Sequence, residues 1–348
     1  MGSRGFAAAV SGAAALVLGL TVANAPVPYV VEIPGPTYNT LGETGGKEVI
    51  TVSGRDSYDA GGSLDITTVY VHGGPTTDVG LLELARSWFD PTVAILPVEV
   101  VYPPDVTREE VAEQNAALMQ DSEGTAVAAA LGELDIPYAQ FLDVAAILRD
   151  SPSAGRLREG DRLVSVDGRA VGSLADVQDV LAAGDGAPAA VVVERDGAEA
   201  TETITPARRD DRWVLGVGIR YSFEFPIDVQ FELGSVGGPS AGMMFALGVL
   251  DKLTPGDLTG GRHVAGTGSI GPDGEVGSIG SIAQKMHGAR SGGAALFLAP
   301  EANCDQVVGH IPEGLAVVSV RTLADARAAV EGYARGEDPA GMPQCSAG

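Results

Sequence analysis

Gly234-Ser235-Val236-Gly237-Gly238-Pro239-Ser240-Ala241-Gly242 runs directly into the apolar stretch MMFALGVLDKL at residues 243–253. Proline suits the first helical position, where its missing N–H has no partner to lose. That placement puts Ser240 in the first turn of a helix, where unpaired backbone N–H groups and the helix dipole can stabilise a negative oxygen. The flanking glycines let another backbone approach closely. Residues 226–233 (PIDVQFEL) alternate as a strand, so the serine sits on a strand–turn–helix. Two readings fit: a nucleophile presented at a helix start, or a glycine-rich turn closed by an ordinary serine.

A hydroxyl needs a base to become a nucleophile. Read as a helix, residues 281–292 put Ile282, Met286 and Ala289 on one apolar stripe. Lys285 falls about 60° from Ile282, at the edge of that stripe, whereas His287 lies about 140° away. The chain has only three lysines, Lys47, Lys252 and Lys285, so a lysine within an apolar pattern calls for a reason. Burial disfavours the charged ammonium and lowers its pKa, which makes Lys285 a candidate general base. The plain alternative is a snorkelling surface lysine.

Taken together these residues resemble the proteolytic domain of Lon-type endopeptidases. Gly238-Pro239-Ser240-Ala241-Gly242 matches the family's nucleophile motif. Thr267-Gly268, the turn from Gly271 to Gly274, Gly277, Ile279-Gly280 and Lys285 follow in the family's order, with Ser240 and Lys285 45 positions apart. The resemblance implies a Ser–Lys dyad of Ser240 and Lys285, with N–H groups around Gly238 and Ala241 supporting an oxyanion and Thr267 orienting the lysine amine. Lon proper is coupled to an ATPase, but no G-x-x-x-x-G-K-[ST] run occurs here, so an ATP-independent peptidase acting on unfolded proteins or peptides is expected. Two rivals stand beside it. Gly238-x-Ser240-x-Gly242 also fits an α/β-hydrolase elbow, with Asp305 and His310 as nominal partners only five positions apart. A non-catalytic, membrane-anchored peptide-binding adaptor is the other.

Residues 140–208 change character, and Ser151-Pro152-Ser153-Ala154, Leu157, Gly160-Asp161, Leu163 and Val166-Asp167-Gly168 resemble a PDZ domain of the bacterial protease type. Such domains add an extended peptide to a sheet edge. No glycine-bearing carboxylate-binding loop is legible around residues 136–141. Membrane-anchored, PDZ-containing Lon-like proteases resemble nearly the whole chain, and they imply an α+β fold with the PDZ-like domain inserted in the protease domain. The expected order is an anchor or signal segment at 1–25, a Pro/Gly-rich stalk at 26–46 and a first protease part at 47–129. The PDZ-like domain follows at 130–208, the catalytic core at 209–335 and a tail at 336–348. Lon-type domains often form rings, so a homo-oligomer is open.

Residues 6–23 carry no charge and as a helix span about 27 Å, enough for a thin hydrocarbon core. Ala23-Asn24-Ala25 offers a small-x-small cleavage pattern, but Pro26 follows it. Both readings export the remainder, and a single-pass membrane protein with its catalytic part on the extracytoplasmic side is expected. A formal charge of −24 argues against nucleic acid. Two cysteines and four scattered histidines make a metal site unexpected, and no cofactor is called for. In an exported chain Cys304 and Cys345 read most simply as one disulfide.

Overall fold

The computed structural model describes residues 3–59, 61–75, 77–234 and 236–346, so Ser235 of the quoted loop lies outside the described residues. The chain forms two compact units, one from Met1–Glu133 with Val229–Gly348 and one from Leu134–Asp228.

The first unit is built on a six-stranded sheet. Its strands are β1 (Tyr29–Asn39), β2 (Ser63–His72), β3 (Ala94–Pro97), β4 (His263–Gly266), β5 (Leu296–Pro300) and β6 (Ala316–Val320), in the order β6-β5-β4-β2-β1-β3. β4 runs parallel to both β2 and β5, and β5 is parallel to β6. β1 is antiparallel to its neighbours β2 and β3. Parallel strands are covered on both faces and read as continuous apolar runs, and all five residues of β5 (LFLAP) are buried. The helices of this unit longer than four residues are α1 (Ser3–Ala23), α2 (Leu81–Ser87), α3 (Arg108–Glu133), α4 (Gly242–Leu253), α5 (Ile282–Ser291) and α6 (Leu323–Ala334). Every residue of α4 is buried; the run 242–250 is apolar on all sides, as expected of a core helix, and Lys252 near its end pairs with Glu48 at 3.0 Å. At the start of α3 the Thr107 backbone N–H donates to Glu110 Oε2 at 2.8 Å and the Glu110 N–H returns a bond to Thr107 Oγ1 at 3.2 Å, closing a capping box.

The expected stalk at 26–46 is corrected by the sheet. Residues 29–39 are β1, with Val30 and Val31 in the core. The prolines that suggested a linker sit at a register shift between Pro34 and Thr37, where a missing N–H costs no ladder bond. The apolar run at the N-terminus does form a helix, α1, but among the described residues no helix is long and apolar enough to cross a membrane.

The second unit is a sheet whose strands lie in the order 198–204, 189–195, 162–166, 139–147 and 217–224, with the helix Leu174–Gly184 beside it. Leu142, Val144, Leu163, Val166, Val191 and Ile204 form its core. Strand Val217–Glu224 pairs along its length with Ala139–Ile147. The boundary expected at 208/209 therefore moves to 228, because this strand completes the smaller sheet, and residues 130–133 belong to α3.

Candidate active site

Pro239–Ala241 form a single 3-10 turn that leads straight into α4, so Ser240 stands at a helix entrance. Gly238 reaches this turn at φ 95°, a conformation that favours glycine. Two donors fix the Ser240 carbonyl, the Gly268 N–H at 2.9 Å and Thr267 Oγ1 at 3.0 Å. From α3, Ser122 Oγ donates to the Pro239 carbonyl at 3.2 Å. A Cβ on Gly242 would lie 2.8 Å from Ser122 Oγ and 2.9 Å from Ile270, so only glycine lets α3 and α4 close on the turn.

Lys285 comes from α5, whose Ile282, Met286 and Ala289 enter one core cluster. The lysine is 4% exposed. Its Nζ lies 2.7 Å from Ser240 Oγ and 3.1 Å from Thr267 Oγ1. Thr267 has one hydroxyl proton, which it gives to the Ser240 carbonyl, so a lone pair is what it offers the amine. Thus Ser240, Lys285 and Thr267 meet through their side chains, whereas the Gly238 N–H, expected to support an oxyanion, instead donates to the Asn115 carbonyl of α3 at 3.1 Å. Asp305 and His310, the nominal esterase partners, are exposed on and beyond the turn Cys304–Val307.

Burial pulls the Lys285 ammonium down from its usual 10.5 to about 8, and the Glu32 carboxylate works in the opposite direction. Glu32 is on β1, is 8% exposed, and accepts a 2.7 Å bond from Ser281 Oγ. Ser281 precedes α5 in the left-handed region at φ 58°. Neither residue is singled out by the sequence, since reading 26–46 as a stalk removed Glu32 from the core. Replacing Glu32 with glutamine removes the charge that favours the ammonium. The acidic limb of the pH–activity profile is then expected to move to lower pH, as measured by kcat/KM across pH 6–9 for Glu32→Gln beside wild type; an unchanged limb would mean Glu32 does not act on Lys285.

Ser240 opens onto a cleft of about 210 Å³ lined by Pro36, Tyr38, Thr68, Tyr70, Met119 and Val236 among others. β4 pairs with β2 only over residues 63–66, and the next residues of β2 line this cleft. Among the described residues no group of three or more His, Cys, Asp or Glu could hold a metal ion.

Residues 223–328 match the Lon protease (S16) C-terminal proteolytic domain, and residues 144–195 match a PDZ domain. Two domain types are thus recognisable in the chain, a PDZ domain and a Lon-type (S16) proteolytic domain. A Mesorhizobium japonicum protein named as a zinc metalloprotease is 40% identical over 74 residues, 21% of this chain and 20% of that protein. The chain thus spans about a fifth of the length of the curated relative it matches. The crystal structure of the PDZ domain of the SdrC-like protein from Listeria monocytogenes aligns at 18% identity and a TM-score of 0.21, covering 22% of this chain and 85% of that one. The Lon-type match brackets Ser240, Thr267 and Lys285, and it names the serine peptidase class.

In the PDZ domain a cavity of about 490 Å³ lies between the helix Leu174–Gly184 and the strand Val217–Glu224, which ends the sheet. Leu148, Leu174, Val177, Leu181 and Ile219 line it, with Arg209, Asp210 and Arg212 also on its wall. The strand is entered through Val214-Leu215-Gly216, with Gly216 at φ 73°. A glycine-bearing turn thus precedes this last strand rather than the strand Ala139–Ile147. It escaped notice because its strand comes last in the chain, beyond the expected boundary.

Proposed function

We propose that the chain is an ATP-independent serine endopeptidase in which Ser240 is the nucleophile and Lys285 its general base. One observation carries this reading: a lysine amine buried from water, with its pKa lowered to about 8, lies 2.7 Å from the hydroxyl of a serine at a helix start. At pH 7 roughly a tenth of such an amine is neutral. The neutral amine takes the Ser240 proton as Oγ adds to the scissile carbonyl. The resulting oxyanion is held by N–H groups of the Pro239–Ala241 turn, at Ser240 and Ala241, aided by the α4 dipole. The ammonium then returns its proton to the leaving amine, which departs and leaves an ester on Ser240. Water attacks that ester with Lys285 again as base, releasing the acid and restoring the serine. Thr267 keeps the amine aimed at Ser240 throughout.

Without an ATPase segment, substrates must reach the cleft already extended, which favours unfolded proteins and peptides. The open side of β2 past residue 66 offers backbone groups to such a strand. The PDZ domain supplies a second grip. The apolar side chains Leu174, Val177 and Leu181 of its cavity, with the two arginines beside Asp210 on the wall, suit a peptide C-terminus with an apolar last residue. We read α1, whose Leu16, Val17 and Leu18 are exposed, as a membrane anchor, and with it place the catalytic part on the extracytoplasmic side.

The test is labelling of the full chain with a fluorophosphonate, beside hydrolysis of an unstructured fluorogenic peptide. Wild type should label and cleave without added nucleotide, and Ser240→Ala should do neither. Label taken up by Ser240→Ala, or cleavage that needs ATP, would overturn the reading.

A further inference from the structure

The apolar helix α1 does not leave the first unit at an arbitrary point. The residues that follow it are pinned to the start of α2: Pro26 bridges Gly80, and the Val27 N–H donates to the Val79 carbonyl at 3.0 Å. Ala23, Asn24, Gly80, Leu82, Glu83 and Arg86 are among the residues lining one cavity at this junction, and α1 and α2 are neighbours.

α2 is an unusual element to find there. None of its seven residues is buried, and a helix so short has little stability without a surface to pack on. It nevertheless carries Leu81 and Leu82 partly open to solvent and ends in Trp88 and Phe89, 75% and 86% exposed. Among the described residues those two are the most exposed large apolar side chains of the chain. The length of α2 places them about 10 Å from the point where the chain leaves α1.

We propose that α2 and the Trp88-Phe89 pair form a second membrane contact, seated in the headgroup region of a zwitterionic bilayer beside α1. The proposal rests on the reading of α1 as a membrane anchor. Aromatic rings concentrate at the membrane–water interface, where an apolar body meets a wet surface. The headgroup layer is about 5–8 Å deep on each side of the hydrocarbon, a depth that a short helix tied to the base of α1 can reach. The surroundings choose the lipid: Asp78, Glu83 and Asp90 accompany the lone Arg86, so an anionic surface would be repelled. α2 then lies in the plane of the membrane, and its contact limits rotation of the first unit about α1.

The chain has two tryptophans, and Trp213 belongs to the second unit. A Trp213→Phe full-length chain therefore reports on Trp88 alone. Reconstituted in phosphatidylcholine vesicles, its fluorescence is measured with lipids brominated near the headgroup end of the acyl chain or near the terminal methyl. Expected is a blue-shifted emission that shallow bromine quenches by about twofold and deep bromine far less. Vesicle flotation separates the failures. A chain that floats while Trp88 emits as in water, unquenched, overturns this contact and leaves the anchor standing. Failure to float overturns both. Protection of Trp88 in lipid-free detergent that grows with protein concentration points to a second copy of the chain and also overturns it. If Trp213→Phe does not fold, the difference between wild type and Trp88→Phe gives the same signal.

Discussion

Lys285→Met is expected to lower kcat/KM for a peptide by about four orders of magnitude and yet leave the protein more stable than wild type at pH 7. The loss follows from chemistry, because methionine fills the volume but neither accepts the Ser240 proton nor returns it. The stability gain follows from linkage. Folded Lys285 has its pKa at about 8 against the usual 10.5. Below pH 8 both folded and unfolded chains hold the proton, and the folded one bears the full cost of a buried charge. Between pH 8 and 10.5 the folded chain has released the proton while the unfolded chain still holds it, so wild-type stability rises with pH. The cost at pH 7 is about 3 kcal/mol, offset in part by the bonds to Ser240 and Thr267, each worth about 1 kcal/mol. Thermal melts of both proteins from pH 6 to 10 should show the variant ahead at neutrality and the gap closing toward pH 10. Wild-type activity should rise through about pH 8 on the same titration. Residual cleavage near the wild-type rate, or a melting difference that ignores pH, would remove Lys285 from the role of base.

How much of this was visible beforehand depended on whether chemistry and local chain shape coincided. Ser240 was legible because Pro239, Gly238 and Gly242 are needed for the turn itself, so the nucleophile advertises its own geometry. Lys285 was legible because it borders an apolar stripe in a chain nearly devoid of lysine. Glu32 was not, since its neighbours Pro34 and Pro36 carry the signature of a linker, and only the pairing with β2 shows that they occupy a bulge. The Gly216 turn was hidden differently. Its strand is far in sequence from its helix, so the residues looked like the start of the next domain. Local pattern finds residues whose surroundings are also local, whereas sheet partners brought together across the chain stay silent until the register is known.

The second large effect is expected at the far end of the chain. Cys304 and Cys345, 41 positions apart in sequence, form a disulfide, and Cys345 packs against the cluster that holds Ile282, Met286 and Ala289 of α5. The segment read as a loose tail is ordered beside the sheet: Asp338 caps the 3-10 turn Pro339–Gly341, and the Ser319 N–H of β6 donates to the Pro343 carbonyl at 2.9 Å. Closing a loop of this length stabilises by about 4 kcal/mol through the entropy of the unfolded chain. The consequence reaches the active site. Asn303, next to Cys304, clamps Ile279 with two bonds, accepting from its N–H at 2.9 Å and donating to its carbonyl at 2.8 Å. Ile279 lies just ahead of Ser281 and α5, so the bridge, the clamp and the lysine helix form one connected path. Cys304→Ser with Cys345→Ser, or full reduction, should lower the denaturation free energy by about 2–4 kcal/mol. Peptide hydrolysis should then fail well below the temperature at which the oxidised protein loses it. Urea titrations with and without reductant, followed by activity against temperature, measure both. Equal midpoints in the two redox states would show that β6 and the cap hold the tail without the bridge. A lowered midpoint with unchanged activity at every temperature up to global unfolding would show that the clamp on Ile279 does not carry the effect to Lys285.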